Sequence, residues 1–259
     1  MACGFTLLES ILALAIASIL LAGLAPLLTR ANSRSREQET GAKMRAIKEA
    51  IAGNGELGTP GFIATMGRLP QPLDELLVAG VVPGRFGPGG VPMGWVGPYL
   101  TIGTPDPLRD AWARSYQLEP VPFCGSGGGW RLRSLGPDGS RSAADDLVIP
   151  PQGCFLSTGI LRLEILRDAG GALSSPVGAL SVTVYYPDPV DGHETPLLGT
   201  AAGNAVSFTC AGLDCQIPLG THAVSVQLKG VTTVFWRNVV MAAAVTNASL
   251  AFPFPAAPP

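Results

Sequence analysis

The segment that decides the fold is residues 5–28, FTLLESILALAIASILLAGLAPLL, near the amino end of the chain. It is apolar except at Thr6, Glu9, Ser10 and Ser18. A run of about 20 apolar residues is long enough to cross a bilayer as a helix. Only residues 1–4 precede it, too few for the basic front of a secretory signal peptide. The sequence therefore predicts a retained transmembrane helix over residues 5–28.

The same helix is expected to continue beyond the apolar run. Residues 31–52 keep a helical composition and carry an apolar stripe between charged positions, formed by Ala42, Ala46, Ile47, Ala50 and Ile51. Gly53-Asn54-Gly55 then gives a strong stop signal. The prediction is one helix over residues 5–52, about 70 Å long at 1.5 Å per residue.

The hexapeptide Gly4-Phe5-Thr6-Leu7-Leu8-Glu9 places a carboxylate at the start of the apolar run, where its burial in hydrocarbon is costly. It resembles the cleavage and methylation motif of type IV prepilins and of the pseudopilins of type II secretion systems. The resemblance implies that a prepilin peptidase removes a leader of residues 1–4 by cutting after Gly4 and methylates the new amino terminus at Phe5. It also implies that Glu9 pairs with the terminal amine of a neighbouring subunit during assembly.

The same resemblance implies a location and a set of partners. The chain would be a single-pass protein of the bacterial inner membrane, with its globular part in the periplasm, and would enter a pseudopilus after assembly. Its partners would be the prepilin peptidase, other pseudopilins or pilins, the inner-membrane assembly platform and membrane lipid. An ordinary single-span anchor that is never processed is the alternative.

The composition bounds the rest of the chain. The net charge is −2 and only 14% of residues are charged, so the chain lacks the broad basic field of a nucleic-acid-binding protein. The 33 glycines and 24 prolines favour many turns and short strands over further long helices. We therefore expect a β-rich body and no nucleic-acid partner.

Four cysteines follow the helix, and their even number suits two disulfides. The favoured connectivity joins Cys124 with Cys154 and Cys210 with Cys215, although four cysteines permit three pairings. Oxidised cysteines would place the body outside the cytosol. Buried free thiols are the alternative.

The sharpest chemical motif lies in residues 53–153, the expected pseudopilin globular domain. Ser134-Leu135-Gly136-Pro137-Asp138-Gly139 is followed by Asp145-Asp146, so three carboxylates fall within one turn-rich segment. Hard oxygen ligands on a flexible loop suit calcium. The segment is similar to the calcium loop of the major pseudopilin, which implies a structural calcium held by Asp138, Asp145, Asp146 and the Leu135 carbonyl. A solvated turn with surface charges is the alternative.

Residues 154–252 alternate apolar and polar side chains over several short runs, the period of half-buried strands. They predict a β-sandwich that resembles the carboxypeptidase-regulatory or prealbumin-like fold. Tyr185-Tyr186-Pro187 and Phe235-Trp236 offer aromatic anchors for display or contact, although core packing accounts for most of them. Residues 253–259 form a tail rich in proline and alanine.

No residue pattern supports an enzyme. His193 and His222 are the only histidines, and His193-Glu194 lacks the second histidine of a zinc-protease helix. The predicted fold class is α+β: a long N-terminal transmembrane helix packed on a small antiparallel sheet domain, followed by an all-β sandwich. The expected function is that of a pseudopilin subunit whose pseudopilus drives protein export. The alternatives are a minor pilin of a type IV pilus, whose C-terminal sandwich binds a surface or ligand, and an anchored periplasmic protein that never assembles.

Overall fold

The structure is a computed structural model that describes residues 7–54, 59–80, 82–101, 103, 106–141, 145–190 and 192–254, with the backbone alone at 7–8 and 19–29. Its longest element is the helix α1 (Leu7–Ala52) of 46 residues, about 70 Å long. The helix ends where predicted, because Gly53 takes a φ of 84° and lies against the backbone of Thr59 and Gly61, where a side chain has no space.

The second half of α1 packs on the body, whereas the described side chains of residues 9–18 are exposed. Its buried stripe is Thr40, Met44, Ile47 and Ile51, at the three- and four-residue spacing that places side chains on one helix face. Two members of the predicted stripe, Ala42 and Ala46, are exposed instead.

The first body combines a short helix α2 (Phe62–Met66) and two 3-10 turns (Leu73–Leu76 and Pro88–Gly90) with short strands. The strands are β1 (Gly53–Asn54), β2 (Thr59–Pro60), β3 (Arg85–Phe86), β4 (Pro92–Met93), β5 (Gln117–Cys124), β6 (Gly127–Ser134), β7 (Leu147–Ile149) and β8 (Phe155–Leu156). A four-stranded sheet has the order β5-β6-β7, with β8 also paired to β6. Its core joins the buried stripe of α1 to Phe62, Trp130 and Leu132.

The second body is one curved sheet. Its strands are β9 (Thr158–Asp168), β10 (Leu173–Ser174), β11 (Leu180–Pro187), β12 (Glu194–Ala202), β13 (Ala205–Ser207), β16 (Ile217–Pro218), β17 (Gly220–Leu228), β18 (Phe235–Met241) and β19 (Val245–Phe252), while β14 (Thr209–Cys210) and β15 (Leu213–Asp214) form a separate hairpin. The order is β10-β9-β13-β12-β11-β17-β18, with β16 antiparallel and β19 parallel to β9. The sheet curls as a half-barrel around its own core.

The two bodies pack against each other. A side chain at Gly67 would meet the carbonyl of Pro187 at the end of β11, and one at Gly220 would meet Ala64 of α2. Arg85 and Glu194 form an ion pair of 2.5 Å between β3 and β12. The helix α2 is therefore held between α1 and the curved sheet.

The prediction of a transmembrane span over residues 5–28 is wrong. In the part of the chain that the structure describes, no helix combines the length and the apolar character needed to cross a membrane. The helix α1 is 46 residues long, but its second half carries many charged side chains, starting with Arg30, Arg34 and Arg36. The predicted single-pass location in the inner membrane is wrong for the same reason.

The predicted α+β fold class and the resemblance to type IV prepilins and secretion pseudopilins are also wrong. The structure is mostly β, with 43% of residues in strands and 20% in helices, and its described residues include no apolar membrane-spanning helix, on which that architecture is built. The C-terminal strands form one curved sheet because β9 accepts neighbours along both of its edges, which joins all nine strands.

Candidate functional sites

The first half of α1 exposes apolar side chains. Every side chain from residue 9 to residue 18, here called the exposed segment, is open to solvent. Ile11, Leu12, Leu14 and Ile16 are 56%, 60%, 68% and 52% exposed. The Ser18 hydroxyl donates to the Leu14 carbonyl at 2.7 Å, so this polar group is satisfied within the helix. The exposed segment is therefore an apolar surface on a rigid element.

The second half of α1 is fixed to the body by packing and by polar contacts. The Thr40 hydroxyl accepts the backbone N–H of Ala111 at 3.1 Å, and Lys43 donates to the Arg109 carbonyl at 3.1 Å. These contacts tie the helix to the segment between the first body's 3-10 turns and its sheet. The exposed segment is therefore continuous with a half of α1 that is anchored to the first body.

Of the residues predicted to act in processing and assembly, Gly4 and Phe5 lie outside the described residues. Glu9 lies in the first turn of α1 with its side chain exposed, within the exposed segment. A carboxylate in the first turn is favoured by the helix dipole. The assembly role of Glu9 stays a prediction.

The predicted calcium loop is organised by a buried acid that the sequence analysis did not select. Asp110 is 3% exposed, and its carboxylate accepts the backbone N–H groups of Trp112 at 2.9 Å and Arg114 at 2.8 Å. It also accepts the hydroxyl of Ser134 at 2.6 Å, at the end of β6. These three bonds satisfy the buried carboxylate and join the 110–114 turn to the start of the loop.

The guanidinium of Arg114 closes the loop from the same side. It donates to the carbonyl of Gly136 and, at 2.8 Å, to the carbonyl of Pro137. Gly139 has a φ of 73° and lies against this guanidinium, so a side chain there would collide with it. A cation of the chain itself therefore binds the carbonyls at the tip of the loop.

The four predicted calcium ligands do not form a cluster, and three of them bind other groups of the chain. Asp146 forms an ion pair of 2.7 Å with Arg133, and the Leu135 carbonyl accepts the Gly139 N–H at 3.2 Å. Asp138 accepts the Ser140 N–H at 2.7 Å and is exposed, while Asp145 is half-buried beside Gly136. Among the described residues, no three His, Cys, Asp or Glu side chains gather in a group that could hold a metal ion. Structural calcium stays a prediction.

A charged network lies next to the loop, on β5 and β6. Glu119 accepts hydrogen bonds from Arg133 at 2.8 Å and from Arg141 at 2.7 Å. The bond from Arg133 holds the pKa of the Glu119 carboxyl below its usual range, and the same bond raises the pKa of Arg133. In this network the carboxylate of Glu119 is paired with two guanidinium groups, and the Glu119–Arg133 pair joins β5 to β6.

The cysteines pair as favoured by the sequence. Cys124 is joined to Cys154, which links the end of β5 to the segment before β8. Cys210 is joined to Cys215 across the β14–β15 hairpin. Each disulfide closes a local loop within its own body.

Neither histidine suggests catalysis. His222 is fully buried on β17, and its Nε2 lies 2.7 Å from the Pro218 carbonyl. Burial lowers the pKa of His222 to about 4, so the ring is neutral at pH 7. His193 is exposed in the turn before β12. The two rings therefore have different environments and form no shared site.

Sequence reasoning missed Asp110 and Arg114 because they bind backbone groups that are distant along the chain. The available signal was local: an Asp that opens a turn commonly accepts N–H groups two or more residues later. Nothing in the sequence indicated that Arg114 reaches residues 136 and 137.

Comparison with known proteins adds no family assignment: no family model, no curated protein and no solved structure matches this chain.

Proposed function

We propose that this protein is a structural subunit that associates with further copies of itself through the exposed segment of α1. The observation that carries the proposal is the exposure of four large apolar side chains on a rigid helix, at residues 11, 12, 14 and 16. Full burial of one such side chain contributes about 1.5–3 kcal/mol. An unpartnered surface of this kind favours association.

The angular distribution of these side chains favours several neighbours over one. Successive residues of an α-helix are about 100° apart, so Ile11, Leu12, Leu14 and Ile16 cover an arc of about 200° around the axis. The small side chains of Ala13 and Ala17 complete the apolar circumference. A helix that is apolar on all sides is normally buried on all sides. One partner helix covers only one stripe, so the segment fits a bundle of several copies better than a dimer.

The charge distribution supports the same arrangement. Between Glu9 and Arg30 the helix carries no charged residue, whereas charged residues are frequent from Arg30 onward. The apolar part therefore favours close packing between helices of different copies, and the charged part favours solvent between the bodies of neighbouring copies. If Glu9 enters the bundle, its carboxylate needs a cationic or hydrogen-bonding partner there, which is the predicted assembly role of this residue.

More specific functions stay predictions. These are peptidase processing after Gly4, a place in a type II secretion pseudopilus that drives protein export, and the contacts with an assembly platform. The proposal of a self-associating subunit depends on none of them.

Cysteine cross-linking tests the proposal directly. In a Cys3→Ser background, Ile16→Cys places a thiol in the exposed segment, and Ala46→Cys places one on the exposed side of the packed half of α1. Under mild oxidation we expect Ile16→Cys to give covalent dimers at micromolar protein concentration and Ala46→Cys to give few. Equal yields from the two variants, or none from either, would contradict assembly through the exposed segment.

A further inference from the structure

The curved sheet has a second face that its own core does not use. On β11 and β17 the core side carries Val182, Val184, Val224 and Val226, all fully buried. Because side chains alternate along a strand, the intervening residues point to the opposite, outer face. The strand register places these positions side by side: Ser181, Thr183 and Tyr185 on β11, Thr221, Ala223, Ser225 and Gln227 on β17, and Trp236, Asn238 and Val240 on β18.

Two aromatic rings meet on this outer face across the middle strand. Tyr185 on β11 and Trp236 on β18 are not on adjacent strands, yet their ring centroids are 5.3 Å apart at an interplanar angle of 38°. They reach each other because β17 contributes only the small side chains of Ala223 and Ser225 between them. We call this ring pair and its strand neighbours the aromatic platform.

The first body supports the platform from one side. The 3-10 turn Pro88–Gly90 lies on the same face, with Gly89 so close to Ala223 and Asn238 that a side chain at Gly89 would touch both. The Asn238 amide donates to the Gly89 carbonyl at 3.5 Å. Trp236 nevertheless remains 38% exposed. The platform is therefore a fixed surface that stays open to solvent.

The polar groups of the platform are available to a ligand. Within the part of the chain that the structure describes, neither the Tyr185 hydroxyl nor the Trp236 indole N–H forms a hydrogen bond. On the same face of β11, Thr183 is half-buried two residues before Tyr185, and Ser181 is exposed a further two residues away. Aromatic rings with a polar tip offer an apolar surface and a hydrogen-bonding group together.

The platform carries no acidic or basic side chain at its positions on β11, β17 and β18. Glu194, the first residue of β12 and the strand partner of Pro187, forms an ion pair of 2.5 Å with Arg85. A hollow of about 360 Å³ continues the face at the strand ends, where Ser181, Gln227 and Lys229 are among the lining residues. Lys229 and the Glu194–Arg85 pair lie at opposite ends of this face, and the uncharged positions between them fit an uncharged partner better than a nucleic acid or a charged peptide.

We propose that the aromatic platform binds a neutral polysaccharide. The C–H face of a sugar ring packs on Trp236 and Tyr185, while the sugar hydroxyls exchange hydrogen bonds with the Tyr185 hydroxyl, the indole N–H and the neighbouring serine and threonine hydroxyls. The platform is long enough for more than one sugar ring, because the four residue steps from Ser181 to Tyr185 span about 13 Å of strand.

The test uses the full chain with insoluble cellulose, chitin and starch as neutral probes and polygalacturonate as the anionic comparison. We expect at least one neutral polysaccharide to retain the protein and polygalacturonate not to. Trp236→Ala should weaken that retention about tenfold or more, and Trp236→Phe should weaken it less, because a ring remains. Phe123→Ala is the matched control, since Phe123 is 88% exposed on β5, away from the platform.

Three results would overturn the proposal. The first is the absence of retention on all three neutral probes, and the second is equal retention of Trp236→Ala and the unaltered chain. The third is a change in oligomeric state on Trp236→Ala with no polysaccharide binding by the unaltered chain, which would identify the platform as a contact between copies. Thermal unfolding of each variant shows whether it is folded, and association through α1 is measured separately.

Discussion

The two halves of α1 are built from one continuous helix but bury their apolar residues in different ways. In the second half, Met44, Ile47 and Ile51 form a single stripe that the body covers completely. In the first half, Ile11, Leu12, Leu14 and Ile16 cover about 200° around the axis, alanines complete the circumference, and all of these side chains remain exposed. A one-sided apolar stripe can be satisfied by the chain's own core, whereas an all-round apolar surface needs several neighbours.

The largest expected effect comes from truncating the packed half. Ile47→Ala removes a fully buried side chain and should lower the free energy of unfolding by about 2–5 kcal/mol, because it leaves a cavity in the first body's core. Leu12→Ala is the matched control in the exposed half and should change it by about 0.5 kcal/mol or less. Urea unfolding at low protein concentration measures both. Similar losses for the two variants would show that the exposed segment already packs within one chain.

Lowering the pH should reduce the free energy of unfolding through His222 in the second body, and not through the packed stripe of α1. His222 has a folded pKa of about 4, below the ordinary value of 6.5, so the unfolded chain binds a proton first as pH falls. Its contribution to stability is complete above pH 6.5 and is lost progressively down to about pH 4, by roughly 3 kcal/mol.

Unfolding free energies measured from pH 7 to pH 4 test this effect. His222→Val should flatten the pH dependence over that range, whatever its effect at pH 7. An unchanged slope in the variant would mean that other groups cause the acid sensitivity.

A smaller effect is expected at the polar base of the packed half. Thr40→Val leaves the Ala111 N–H without the hydroxyl that it meets at 3.1 Å and should cost about 1 kcal/mol. Thr40→Ser keeps the hydroxyl and should cost less. If urea unfolding gives the two variants the same stability, the bond to Ala111 contributes nothing measurable.

The smallest effect on stability is expected in the exposed half, together with a clear effect on association. Leu14→Ala should alter the free energy of unfolding by about 0.5 kcal/mol or less, because the side chain is 68% exposed. It should nevertheless reduce the fraction of oligomer at a fixed micromolar concentration. Size-exclusion chromatography with light scattering measures that fraction, and an unchanged fraction would count against Leu14 as a contact residue.

Local signals in the sequence were sufficient for part of the fold. The end of α1 at Ala52 follows from the glycine after it, and the β-rich C-terminal region follows from its alternating pattern. The apolar run, in contrast, was assigned to a membrane from its length and composition, and the structure contains no helix that qualifies among its described residues.

Long-range pairing was not readable from the sequence. The parallel contact of β19 with β9 turns the expected sandwich into one curved sheet, and an alternating pattern does not specify which strands become neighbours. The site shows the same limit. Individual aromatic residues were visible in the sequence, but the meeting of Tyr185 and Trp236 depends on two small residues of the strand between them.

The measurement that tests the central claim most directly is sedimentation velocity of the full chain over a range of micromolar concentrations. We expect the unaltered chain to form concentration-dependent species larger than a dimer. Leu12→Ser combined with Leu14→Ser should be monomeric, and Val190→Ser, at a residue 85% exposed outside α1, should behave as the unaltered chain does. An unaltered chain that is monomeric at every concentration would contradict assembly through the exposed segment, and so would a double variant that associates equally well.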